Sequence, residues 1–374
     1  AAAAGIAAGA AFDQLWMSAA FALQALAAAW LWRRAPKAET GEGLGALKIA
    51  AAAFGTLAVV RLTVLGEAFG YDVGPWPVLN WLLYGYGVSA LALWLASRQL
   101  VRGGAPERSR VVQSLVAGAL TLGVFLISMQ IRHALHGGRM DAGFYTLLEI
   151  GLQTSAWLGT ALAIRAALGP SPAFAPRWGV RVLIGLSALH ALAVTTAFNP
   201  WWGGDPMGVQ GGTVFNSLLA AYGVPGALAA ALAIVLRRQG LQAAGTITGM
   251  IAAVFLFQWL VLELRFGFHG LLMSRLPVGE AESWAYSALG LVYAGALLAL
   301  GVVRRRPSLR YAALGLLLAV TVKVFVFDLA GLGGGLRALS FLGLGAVLMA
   351  VAALYQRVIL PMTRREAEEA ALRS

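Results

Sequence analysis

The chain has no cysteine. That removes disulfides, thiol catalysis and Cys-ligated metal. Charge is scarce too: 12% of the 374 residues are Asp, Glu, Lys or Arg, against about 25% in an ordinary soluble domain. With so few polar groups, most of the chain has to face lipid or other apolar helices. Histidine occurs four times, as His133, His136, His190 and His269, in no HxxEH-type cluster. Only His190 lies deep within a hydrophobic run, so two histidines cannot face each other across a haem there. The expectation is therefore no metal and no cofactor. Motifs for nucleotide and acyl chemistry are missing as well: no Walker A loop, no GxSxG elbow and no Rossmann fingerprint. The glycine-rich GLGGG at 331–335 follows a hydrophobic run and reads as a flexible turn.

Long apolar stretches are what the chain does have. Hydrophobic residues make up 60% and the mean hydropathy is +0.77. A membrane span needs about 20 predominantly apolar residues. Eleven such runs occur, near 14–33, 45–66, 79–101, 109–131, 143–167, 177–198, 214–237, 243–266, 281–303, 308–327 and 337–360. The expected fold is an all-α polytopic membrane protein of about eleven transmembrane helices. The formal net charge is +12, but Arg and Lys sit in short clusters between the apolar runs. That is the distribution of orientation signals, so no nucleic-acid partner is expected. Arg33-Arg34, Arg98 with Arg102, Arg108 and Arg110, Arg177 with Arg181, Arg237-Arg238, Arg304-Arg305-Arg306 and Arg364-Arg365 mark alternate ends. Asp72, Trp76, Trp201, Trp202, Asp205, Glu280 and Asp328 mark the opposite ends. The positive-inside rule then puts the C-terminus in the cytoplasm and the Trp-rich loops at the outer interface. No signal peptide is read. The Ala-rich opening lacks a charged region and a Met, so the true start is expected upstream.

The apolar runs carry an internal pattern. KIAAAAFGTLAVVR (Lys48 to Arg61), RWGVRVLIGLSALH (Arg177 to His190) and RYAALGLLLAVTVK (Arg310 to Lys323) each pair a basic entry with a second base 13 positions later. Their starts are 129 and 133 residues apart. Pro77-Val78-Leu79-Asn80-Trp81 with Tyr86-Gly87-Val88 answers Val214-Phe215-Asn216-Ser217 with Tyr222-Gly223-Val224. The stretch from Gln130 to Gly137 answers that from Glu263 to Gly270. Asp13, Glu149 and Glu282 each precede a hydroxyl five residues on, at Ser18, Thr154 and Ser287. The expected organisation follows. Residues 1–40 hold the last helix of an upstream repeat, 41–168 and 169–306 are four-helix repeats, and 307–374 is a half repeat with a cytoplasmic tail. The 46 glycines and long alanine runs suit helices that pack closely through small faces in lipid, and Gly343 and Gly345 read as such a face.

Two sets of residues are candidates for chemistry. Arg132 with His136, and Arg265 with His269, stand at i and i+4 on one helix face, just before a helix-ending glycine. They either bind an anionic ligand outside or complement the helix dipole. Glu263 joins the second pair as a candidate ligand-binding residue, whereas Gln130 takes its place in the first. The second set is Arg61, His190 and Lys323. An unpaired charge deep in a span costs about 3 kcal/mol, so these three are expected to pair with carboxylates of neighbouring helices, Glu149 and Glu282 among them. Buried ion pairs of that kind fix packing; a proton or ion relay is the alternative.

The stretch TVKVFVFDLAGLGGGLRALSFLGLGAVLMAVAALYQR, residues 321–357, resembles the closing signature of a family of large predicted bacterial inner-membrane proteins, domain of unknown function 2339. Lys323, Phe325, Phe327, Asp328, Arg337, Ser340, Phe341, Tyr355, Gln356 and Arg357 carry the match. Arg132 to Gly137 and His269-Gly270 are also similar to family segments. The resemblance implies an inner-membrane, envelope-facing protein and no assigned activity. Three readings stand: binding or transport of an envelope lipid, glycan or other anionic ligand at the outer face; a structural scaffold of an envelope complex; and a membrane-embedded transferase with His269 as base and Arg265 as clamp. Whether the chain is an enzyme stays open. The expected partners are membrane lipids and a periplasmic or membrane protein.

Overall fold

A computed structural model describes residues 14–35, 42–64, 73–141, 143–169, 173–205 and 207–328, with isolated positions between 342 and 356. Ten α-helices occur among these residues: α1 (Gln14–Arg34), α2 (Glu42–Thr63), α3 (Ser89–Arg102), α4 (Arg110–His136), α5 (Leu147–Leu168), α6 (Phe174–Thr195), α7 (Val224–Arg238), α8 (Gln242–His269), α9 (Glu280–Val303) and α10 (Pro307–Lys323). π-helical turns at Leu83–Val88 and Leu219–Gly223 lead into α3 and α7, and a third, Val324–Asp328, continues α10. No β-strand occurs among the described residues.

Eight helices among the described residues are long and apolar enough to cross a membrane. Two of the other expected spans are helical but more polar. The segment Leu83–Arg102 carries Ser89, Ser97, Arg98 and Gln99, and α1 carries Gln14, Gln24 and two terminal arginines. The last expected span, 337–360, lies almost wholly outside the described residues, as do Asp13, Asp72, the GLGGG turn and the polar tail.

Local chemistry explains where helices stop. At the start of α4 the Ser109 hydroxyl accepts from Val112 N at 3.4 Å, and at its end Gly137 takes φ +61°. That left-handed backbone is open to glycine at no steric cost. Thr146 caps α5 by accepting from Glu149 N at 3.1 Å. A helix of 27 residues, such as α4, is about 40 Å long, more than the ~30 Å hydrocarbon core. A helix of that length reaches past the hydrocarbon core at one end or both.

The chain divides into two compact units. The first holds α1–α7 and the beginning of α8. One of its cores joins Ala22, Ala25 and Ala29 of α1 to Leu62 of α2, Leu93 of α3 and Leu122 of α4. A second joins Leu158 and Ala161 of α5 to Leu183 of α6, Leu232 of α7 and Ala252 of α8. Small residues permit these approaches. A Cβ placed on Gly151 would meet the Ala220 carbonyl oxygen at 2.6 Å, so only glycine lets α5 touch the π turn before α7. Both π turns within this unit put a tyrosine hydroxyl on a carbonyl near a helix end: Tyr86 donates to Leu62 O at 2.8 Å and Tyr222 to Val194 O at 2.6 Å. The second unit holds the remainder of α8, with α9, α10 and short segments at 200–203 and 211–215. There α9 packs on α10 and on the following π turn. Large apolar side chains stay exposed along the helices, Leu189 and Leu192 of α6 and Val292 of α9 among them, as lipid-facing positions do.

Two candidate sites built from arginine, glutamate and histidine

In the first unit the end of α4 and the start of α5 close on one carboxylate. Arg132 Nη1 lies 3.0 Å from Glu149 Oε1. His136 Nε2 lies 2.8 Å from the other oxygen, Oε2. Arg132 Nε donates to Met140 O at 3.0 Å, and Gln153 Nε2 donates to Glu149 Oε1 at 3.1 Å. The Tyr145 ring lies 4.8 Å from the guanidinium. Phe144 meets the His136 ring edge-on at 5.5 Å. Both charged partners are buried, Arg132 at 4% exposure and Glu149 at 0%. Removing such charges from water is costly, and each of these bonds offsets part of that cost.

The second unit contains the same arrangement, 133 positions later. Arg265 Nη1 lies 2.7 Å from Glu282 Oε1, and His269 Nε2 lies 2.7 Å from Oε2. Arg265 Nε donates to Met273 O at 2.7 Å and Nη2 to Leu276 O at 2.6 Å. Tyr286 takes the place that Gln153 has in the first cluster, donating to Glu282 Oε1 at 2.6 Å. Trp201 lies 4.3 Å from the Arg265 guanidinium and packs on Tyr286 at 5.5 Å. Glu282 also accepts from Gly279 N at 3.4 Å, at the mouth of α9.

These contacts redraw the two candidate sets. The arginines and histidines expected at an anionic ligand engage Glu149 and Glu282, the carboxylates expected to serve the mid-span bases. The bases find other partners. His190 Nδ1 lies 2.8 Å from Thr154 Oγ1, with the Trp157 ring 4.4 Å away. Lys323 donates to Asp328, to both oxygens of Ser283 and to the Ser287 hydroxyl, at 2.6–3.0 Å. The reason is position. Glu149 and Glu282 stand in the first turns of α5 and α9, beside the helix end that carries Arg and His. The hydroxyls five residues on lie a turn deeper, level with the bases. Arg61 falls in the last turn of α2, as Lys323 does in α10. Glu263 accepts the Trp259 indole N–H at 2.9 Å, and Gln130, at the equivalent position, exchanges hydrogen bonds with Asn80 at 2.9 and 3.0 Å.

Several participants escaped the sequence reading: the carbonyls of Met140 and Met273, Gln153, Tyr286 and Trp201. The constant offset of 133 could have found Met140 with Met273, since both residues match at that spacing. Trp201 had no such signal, being far from Arg265 in the chain. Chemically, each cluster is a closed set of one guanidinium, one carboxylate and one imidazole. Among the described residues, no three metal-ligating side chains converge.

A family model described as a predicted membrane protein, DUF2339, matches residues 1–358. We find no match among curated proteins and none among solved structures.

Proposed function

We propose that the chain, which belongs to the DUF2339 family of predicted membrane proteins, is a structural membrane module of four-helix repeats, each pinned at one end by an arginine–glutamate–histidine cluster. The observation that carries this reading is the engagement of both guanidinium groups by protein oxygens. All three nitrogens of Arg265 donate to protein oxygens, and the partner carboxylate is itself held by Arg265, His269 and Tyr286. An anionic ligand would have to displace these bonds and approach a carboxylate. Ligation at the outer Arg and His pairs, the leading expectation from sequence, would have to compete with these bonds.

The repeat is supported by equal spacing of unlike contacts. From arginine to histidine is 4 positions, to the methionine carbonyl 8 and to glutamate 17, in both clusters. The mid-span partners keep the register, since Thr154 with His190 and Ser287 with Lys323 are each 36 apart. In the orientation we favour, the arginine-rich helix ends face the cytoplasm and the clusters face outward, in the inner membrane, where a scaffold would meet a membrane or periplasmic partner.

A second reading keeps a ligand or transferase site at the second cluster. It is favoured by the His269 side chain, which is 15% exposed where His136 is 5% exposed, and by a carboxylate at general-base distance. Glu149→Gln and Glu282→Gln in the full chain separate the readings. Pinning expects a lowered melting temperature for each. Wild-type melting combined with the cellular phenotype of a gene deletion would instead make the cluster a working site.

A further inference from the structure

A cavity of about 540 Å³ lies at the arginine-bearing end of the first unit, lined by Arg108, Arg165, Arg177 and Arg181 and by apolar residues that include Phe174 and Ile184. We propose that it binds the phosphate headgroup of an anionic membrane lipid. The site stands apart from the glutamate clusters, and the proposal does not depend on their role.

Three elements bring the arginines together. Arg165 is in the last turn of α5, Arg108 is in the connection between α3 and α4, and Arg177 and Arg181 are one turn apart at the start of α6. Positions 177, 180, 181 and 184 share one face of α6, and all four line the cavity. That face is therefore mixed: two arginines alternate with two aliphatic side chains. Leu236, Leu241 and Ala244 supply an apolar wall from the end of α7 and the start of α8.

The charge is one-sided. Among the described residues, four arginines line the cavity and no carboxylate does. The acid nearest in sequence, Glu107, is exposed and faces Arg98 at 4.0 Å. Arginine used only as an orientation signal stays in water, as the exposed Arg304 and Arg305 do. Here Arg165 is brought down to 2% exposure in the lining of a concave site. Converging guanidiniums present paired N–H donors that match phosphate oxygens. The volume suits a headgroup and falls within the usual range for small-molecule sites.

The apolar half decides between sources of phosphate. A free phosphate ion gains nothing from Phe174, Val180, Ile184 and Leu236. A phospholipid places its glycerol and first methylenes against them. The Trp178 ring lies 4.9 Å from the Arg181 guanidinium and, tilted, 6.0 Å from the Phe174 ring, an amphipathic grouping of the kind that settles at the membrane interface.

The test uses the full chain in phosphatidylcholine nanodiscs, with phosphatidylglycerol added in steps and binding read by thermal stabilisation and by native mass spectrometry. The wild type is expected to retain phosphatidylglycerol at saturable stoichiometry, with inorganic phosphate giving no stabilisation. Arg177→Gln/Arg181→Gln, both exposed in the unliganded chain, is expected to weaken that binding about thirtyfold. Arg304→Gln/Arg305→Gln, which removes the same charge elsewhere, is expected to leave it unchanged. Equal binding by the wild type and the Arg177/Arg181 variant overturns the proposal, as does an equal loss in the control pair. Stabilisation by inorganic phosphate matching that by phosphatidylglycerol overturns the lipid assignment.

Discussion

Arg265 and Glu282 meet at 2.7 Å across a helix end, a loop and a new helix start. The contact joins the last turns of α8 to the first turn of α9, and Arg132 with Glu149 does the same for α4 and α5 at 3.0 Å. Each pair is inaccessible to water, so each is strong only while both partners are present.

Neutralising one partner should therefore be costly. Glu149→Gln and Glu282→Gln are each expected to destabilise the chain by about 3–5 kcal/mol, the usual result of leaving a buried charge without its counterpart. The clusters share no residues, so the double variant should lose the sum. Unfolding in detergent, followed by tryptophan fluorescence, checks both statements. Additivity fails if the two clusters belong to one coupled network.

Tyr286→Phe isolates a single bond. The hydroxyl donates to a buried carboxylate at 2.6 Å, and hydrogen bonds to charged groups contribute about 1.5–3 kcal/mol. A loss of that size is expected in the same melt. Gln153→Leu in the first cluster should behave alike, because Gln153 donates to Glu149 at 3.1 Å.

Close packing makes a sharper contrast between two glycines of one helix. Gly151→Ala forces a methyl group against the backbone of the π turn before α7 and is expected to destabilise by about 1–3 kcal/mol. Gly159→Ala meets nothing within 4 Å and should stabilise by about 1 kcal/mol through helix propensity. Melting temperatures moving in opposite directions would bear this out; a shift of the same sign in both would refute it.

Asp205 provides a pH signature outside the spans. Burial pushes its carboxyl above the usual carboxylate range, and hydrogen bonds from the Met207 and Leu147 amides offset part of the rise. A raised acid holds its proton longer in the folded state than in the unfolded chain. Stability is then greatest below the unfolded value and falls as pH rises through the folded one. Asp205→Asn keeps an oxygen acceptor for both amides and removes the titration. Its melting temperature should be flatter over that window and equal or higher at neutral pH, measured across a pH series.

Particular residues show how far reading the chain reached. Arg132 and His136 were legible as one face, because i and i+4 stack on any helix. Glu149 and Glu282 were legible as carboxylates in need of a cation, because so few acids exist to choose from. Their true partners were not. The sequence places Glu149 near both His190 and Arg132, and the choice depends on depth along α5, which follows from where Thr146 caps the helix.

What the sequence by itself determined is what composition and local spacing control. Scarce charge and long apolar runs require membrane-spanning helices, since the bilayer penalises every unsatisfied backbone group. Helical periodicity sets which bases share a face. Tertiary structure alone decided which charges neutralise one another and which gather around a cavity. The glutamates go to the Arg and His pairs, while Arg108, Arg165, Arg177 and Arg181 gather around a cavity that no carboxylate among the described residues lines. Electrostatic pairing depends on separations of a few ångströms, and those separations are created only when the loops turn one helix back against the next.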